Sequence, residues 1–165
     1  MNDSYIVING KRAELTKEQL KTLGVEVRKN PFERCAAGEK YVTILGDDAI
    51  REFFDNNDLC DNGVYNAVNY FNNEQFARQV ALHQLLYRKL LKFAYDNGCE
   101  DTAEWDCRNR HYHIIYSFNG KNLGFDSNDV FKQQGIVYFS SKDGVLQAIK
   151  EVVEPFMKKH PEFVW

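Results

Sequence analysis

An α+β fold with antiparallel sheets covered by helices follows from three features of the 165-residue sequence. The run from Tyr70 to Asn97 carries apolar residues at helical spacing and is the longest helix signal in the chain. Short stretches of alternating polar and apolar residues, two of them turning at Asn-Gly, mark antiparallel strands. Val137 to Phe156 then repeats the opening of the long run: an aromatic pair, two small polar residues and an apolar helix pattern.

Taken in order, Tyr5 to Ile8 alternates as a strand, Asn9-Gly10 is a hairpin turn, and Arg12 to Leu15 returns. Thr16, with Gln19 three residues on, caps a short helix that ends at Gly24, a residue suited to a left-handed C-cap. Val25 to Arg28 is weakly extended. Asn30-Pro31 leaves helical geometry and opens a linker through Gly38, so residues 1–37 form an N-terminal hairpin-helix segment.

Residues 38–98 read as a first β-β-β-α unit. Tyr41 to Leu45 is a strand, Gly46-Asp47-Asp48 a turn, and Ile50 to Phe54 a return strand, which is favoured over one aspartate-capped helical turn. Asn56 to Asn66 is expected as a polar loop and Ala67 to Phe71 as a strand leading into the long helix. The helix stripe is Phe76, Val80, His83, Tyr87, Leu90 and Ala94, widened by Leu82, Leu86 and Phe93. Residues 99–165 repeat the plan, with Tyr112, Ile114, Tyr116 and Phe118 alternating, a turn at Asn119-Gly120, a return over Asn122 to Phe125, and a polar loop from Asp126 to Gly135. A strand over Ile136 to Phe139 then precedes a helix capped by Ser140 or Ser141 and kinked at Pro155. Aligning Tyr70-Phe71 with Tyr138-Phe139 gives an offset of 68 residues, a two-fold pseudo-repeat within one body.

Composition narrows the function classes. With 44% hydrophobic residues and no window of eighteen apolar ones, the chain reads as a soluble domain with a cytoplasmic location and no membrane contact. Cys35, Cys60, Cys99 and Cys107 form no CxxC pair and are expected as thiols. A net charge of −3 argues against a general nucleic-acid footprint.

The run INGKRAELTKEQLKTLG, the linker NPFERCAAGEKY, the NYF before the long helix and the late GIVYFSSKDG together resemble a family of small proteins encoded by phages and prophages of Gram-positive bacteria. The resemblance covers most of the chain, and NPFER followed by GEKY is its most specific part. It implies an accessory protein acting inside a bacterial host against a defence system, with inhibition of a CRISPR effector as the concrete version. The loop DNNDLCDNGVYN is more acidic and irregular than the resemblance leads one to expect.

The residues themselves offer one leading binding site. Between Asp47 and Asp61 lie Asp47, Asp48, Glu52, Asp55, Asp58 and Asp61 against Arg51 alone, an acidic surface able to occupy a basic groove on a nucleic-acid-handling host protein. The alternative is a solvated rim. A calcium loop starting at Asp55 fails, because Cys60 stands where glycine is required and Asn66 where glutamate is required. His111 and His113 share one strand face about 7 Å apart without an identifiable third ligand, so neither a metal nor another cofactor is expected. Trp105 with Arg108 and Arg110 forms the alternative, a stacking platform for single-stranded nucleic acid. No nucleophile is placed against a base, so an enzyme is a third reading with no catalytic residues assigned.

Overall fold

The computed structural model describes residues 5–23, 30–46 and 49–165. Helix and strand are mixed and the sheets are antiparallel, an α+β arrangement. At the N-terminus β1 (Tyr5–Ile8) and β2 (Lys11–Glu14) form a hairpin. Its turn places Asn9 at φ 51° and Gly10 at φ 76°, the left-handed pair that an Asn-Gly hairpin turn requires. Thr16 and Gln19 form the expected reciprocal cap on α1 (Lys17–Thr22). The expected C-cap at Gly24 and the extended stretch over Val25 to Arg28 lie outside the described residues.

The second sheet pairs β3 (Lys40–Ile44) with β4 (Ile50–Phe54), so the hairpin prevails over the helical alternative. On the other side of β3, Val42 exchanges backbone hydrogen bonds of 2.8 and 2.9 Å with Phe71, and the Asn69 side chain bonds both backbone groups of Ile44. Two expectations fail between these points. The polar loop contains α2 (Leu59–Asn66), and Ala67 to Phe71 is no strand but a turn whose backbone, among the described residues, bridges to β3 at Phe71 alone, with Val68 at φ 55°. Asp58 explains the helix: its side chain accepts from the Asp61 amide at 2.9 Å while Asp61 accepts from the Asp58 amide at 3.3 Å, a capping box built from two aspartates.

The long helix α3 (Glu74–Asp96) starts at the Asn73 cap. At 1.5 Å per residue its 23 residues span roughly 35 Å, enough to serve two cores. Ala77 and Ala81 pack under Val42, Ile44 and Phe71, whereas Leu82, Leu86, Leu90, Phe93 and Ala94 belong to the larger core of the second half. The helix that closes residues 38–98 therefore contributes side chains to both cores.

In the second half β5 (His111–Ser117) lies between β6 (Asn122–Asn128) and β7 (Tyr138–Phe139). The return strand extends past Phe125 into the expected polar loop. Ser141 caps α4 (Lys142–Ala148), which runs through a π-helical turn (Ile149–Val153) into α5 (Glu154–Lys159). Pro155 sits in the first turn of α5, and the wider turn precedes the residue that lacks an N–H to donate. The tail docks on α3: Gln79 donates to the Glu162 carbonyl and accepts from the Val164 amide, and Phe163 is buried.

Candidate functional site

The acidic stretch is organised from beneath by an arginine that lies 21 residues upstream of its partner. Arg34, from the NPFER segment, grips Asp55 with both arms: Nε donates to Oδ2 at 2.7 Å and Nη2 to Oδ1 at 2.9 Å. Its remaining nitrogen, Nη1, donates to Asn62 on α2 at 2.6 Å. The Tyr70 hydroxyl donates to Asp55 Oδ2 at 2.9 Å and the Asn57 amide to Oδ1 at 2.8 Å. Asp55 is 1% exposed. Hydrogen bonding to Arg34 outweighs the opposing effect of burial and holds its carboxyl well below the usual carboxylate range.

Asp61 closes a second centre beside the first. It accepts from the Tyr41 hydroxyl at 2.8 Å and from the Asn56 amide at 2.7 Å. Burial pushes this carboxyl up, but the bonds from Tyr41 and from the Asn56 and Asp58 amides bring it down on balance. Tyr41 and Tyr70 stack 4.1 Å apart, tying the two centres together. Burial, then the hydrogen bond to Asp61, pushes the Tyr41 phenol up to about 12. A phenol with a raised folded pKa adds stability below the unfolded value near 10, and that contribution is lost as pH rises through 12. In an absorbance titration of tyrosinate, the component removed by Tyr41→Phe should therefore lie near pH 12 and not near pH 10.

The expected acidic surface is corrected accordingly. Asp55 and Asp61 are buried and internally bonded, because each has hydrogen-bond donors that outcompete water. Asp58 is exposed, but its carboxylate caps α2. Glu52 forms an exposed ion pair with Lys40 at 2.8 Å, while Asp47 and Asp48 lie outside the described residues. Among these exposed polar groups the latched hairpin and helix also present apolar ones: Leu59 is 89% and Phe54 56% exposed, with Phe53 and Tyr65 partly so. Beside them a depression of about 530 Å³ is lined by Phe53, Phe54 and Val64 and by the carboxylates of Glu52, Asp58 and Asp61, among others.

Trp105, half-buried, has one ring face already engaged. The indole lies flat on His111, with centroids 3.7 Å apart and planes 8° apart, and meets Tyr138 edge-on; Arg108 and Arg110 are exposed. His111 and His113 do share one face of β5 and are both buried. Asp101 holds His111 Nδ1 at 2.6 Å, and His111 Nε2 and His113 Nδ1 have no partner among the described residues. This is the pair closest to an acid-base device, yet His111 is 0% exposed beneath Trp105. No group of three His, Cys, Asp or Glu side chains gathers for a metal ion among the described residues. Lys89 and Lys92 line a separate groove with Lys159 and His160, together with Asp96 and Glu151 and without Arg108 or Arg110.

Comparison with protein-family models, curated proteins and solved structures returns no match for this chain. No helix among the described residues is long and apolar enough to cross a membrane.

Proposed function

We propose that this chain is a non-enzymatic accessory protein of phage or prophage type that works inside a bacterial host cell by binding a host protein through the β4–α2 face. The target class is a nucleic-acid-handling defence effector, a CRISPR effector in the concrete version. One observation carries the binding part of the reading: Phe54 and Leu59 stand exposed on an element whose underside is fastened by Arg34, Asp55, Asp61 and two tyrosines. Exposed apolar groups on a rigid backing suit recognition, since little conformational freedom is lost on docking. The resemblance carried by NPFER and GEKY supplies the biological setting.

The same reading takes the two halves as one plan used twice. In support, β3 and β5 are each flanked by a hairpin partner on one side and by the aromatic pair before the next helix on the other.

The test is capture from host lysate with the wild type beside Phe54→Asp/Leu59→Asp. A partner held through this face should lose at least about thirtyfold in affinity, the effect of removing a hot spot, while the melting curve stays where it is. Asp47→Lys/Asp48→Lys should slow association with a basic partner. Equal capture by wild type and the apolar-face variant overturns the reading. Retention of nucleic acid at moderate salt replaces it with a nucleic-acid-binding module.

A further inference from the structure

The hydrogen-bond parity of the β3–β4 hairpin shows which backbone groups it leaves unused. Glu39 pairs with Asp55 and Leu45 with Ala49 through backbone hydrogen bonds, so in this register the bonded pairs between them are Tyr41 with Phe53 and Thr43 with Arg51. The intervening residues of β3 turn the other way, as the bonds of Val42 to Phe71 and of Ile44 to Asn69 show. By the same alternation Ile50, Glu52 and Phe54 direct their N–H and C=O groups away from β3. Among the described residues only the Phe54 carbonyl finds a partner there, the Asn56 side chain at 3.3 Å. Four of the five β4 residues are exposed, and among the described residues no third strand lies beside β4.

We infer that β4 is a docking edge that receives an extended, cationic segment of the partner as an added antiparallel or parallel strand. This rests on the protein-binding reading above and names its mode. An exposed edge with apolar side chains is a template for strand addition, and natural sheets blunt such edges with lysine, proline or bulges. This edge carries no proline, and Arg51 is the one basic residue on β4. Charge selects the occupant. The depression beside the strand is lined by Glu52 and Asp58 and, among the described residues, by no lysine or arginine, which favours lysine or arginine on the incoming segment. Phe53 and Phe54 project to opposite faces and offer apolar contacts to residues that alternate between the basic ones.

The probe is a blocked eight-residue peptide of alternating lysine and valine, followed by amide hydrogen exchange and titration. In the free protein the Arg51 and Phe53 amides should exchange slowly and those of Ile50, Glu52 and Phe54 quickly. Peptide should slow the second set alone. Glu52→Pro removes an outward N–H that the hairpin does not use, a placement edge strands tolerate, and should weaken peptide binding about tenfold, whereas Glu52→Gln should change it by no more than about threefold. The exchange pattern in the wild type stands as a test whether or not the proline variant folds. Equal binding by a glutamate-valine peptide, or unchanged exchange at Ile50, Glu52 and Phe54 when peptide binds, overturns the inference. So does concentration-dependent protection without peptide, which would assign the edge to a second copy of this chain. If the host partner is lost with Phe54→Asp/Leu59→Asp but kept by folded Glu52→Pro, strand addition fails while the binding face stands.

Discussion

Replacing Asp55 by alanine should lower the stability of the fold by about 3 kcal/mol, a fall in Tm of roughly 6–12 °C for a chain of this length. The size follows from what is left behind. Arg34 loses both bonds of a bidentate grip, Tyr70 loses its acceptor, and the Asn57 amide loses its own. The guanidinium softens the loss because 26% of its side chain already meets water and can take up more. Arg34→Met should cost more than Asp55→Ala for the converse reason, since it strands a carboxylate with 1% exposure. Acid separates the two effects. The folded carboxyl of Asp55 is depressed, so its contribution is complete above the unfolded pKa near 3.9 and is lost as pH falls below it. Urea unfolding at pH 7 and near pH 3 should therefore show the gap between wild type and Asp55→Ala narrowing on acidification. A gap that is constant or widens means that Asp55 does not serve as a charged partner of Arg34.

This latch also gives physical content to the segment that carries the sequence resemblance. Phe32 packs against Phe71 and Phe76, the Asn72 side chain donates to the carbonyls of Asn30 and Glu33, and the Asn72 amide donates to Pro31. NPFER is thus a clasp across the entry to α3, ending in the arginine that neutralises Asp55. A count of charges along the chain could not reveal this, because it has no information about a cation placed 21 residues away. The D-x-x-D spacing of Asp58 and Asp61 was the signal that could have separated a helix start from a loop.

The long helix was legible in type and extent but not in rotation. Its expected stripe ran through Phe76, His83 and Tyr87, all three of which are exposed, whereas Ala77 and Ala81 are buried. Large apolar residues dominate a periodicity argument. Close approach to the β3–β4 sheet selects small ones, so alanines mark the contact and the aromatics move to its rim. Leu82, Leu86, Leu90, Phe93 and Ala94 were placed in the stripe and are buried, because the second core has room for leucine-sized side chains. The strands of both hairpins were legible from their turns and alternation. Outward-facing backbone on β4 was not, since parity depends on register, and register is visible only once the pairing is known.

The second large effect is expected at Phe139, where alanine should cost about 4 kcal/mol. Phe139 is 0% exposed and contributes to the core that holds Leu90, Phe93, Val145 and Phe156. Its backbone stands between β5, through Tyr112, and Glu100, so the residues that would have to close on a cavity there are held by ladder bonds on both sides. A site that cannot collapse keeps most of the lost contact energy as cavity cost. Phe139→Leu preserves much of the volume and should cost less than half as much. Urea unfolding of the two variants measures the difference, and similar losses would show that the cavity relaxes. The β4–α2 face draws its stiffness from the latch and from the smaller core of Val42, Ile44, Phe71, Ala77 and Ala81. Peptide binding at β4 should accordingly survive in Phe139→Ala under conditions where the variant stays folded, and be weakened in Asp55→Ala, which loosens the backing of β4 itself. The opposite order would place the binding element in the second half.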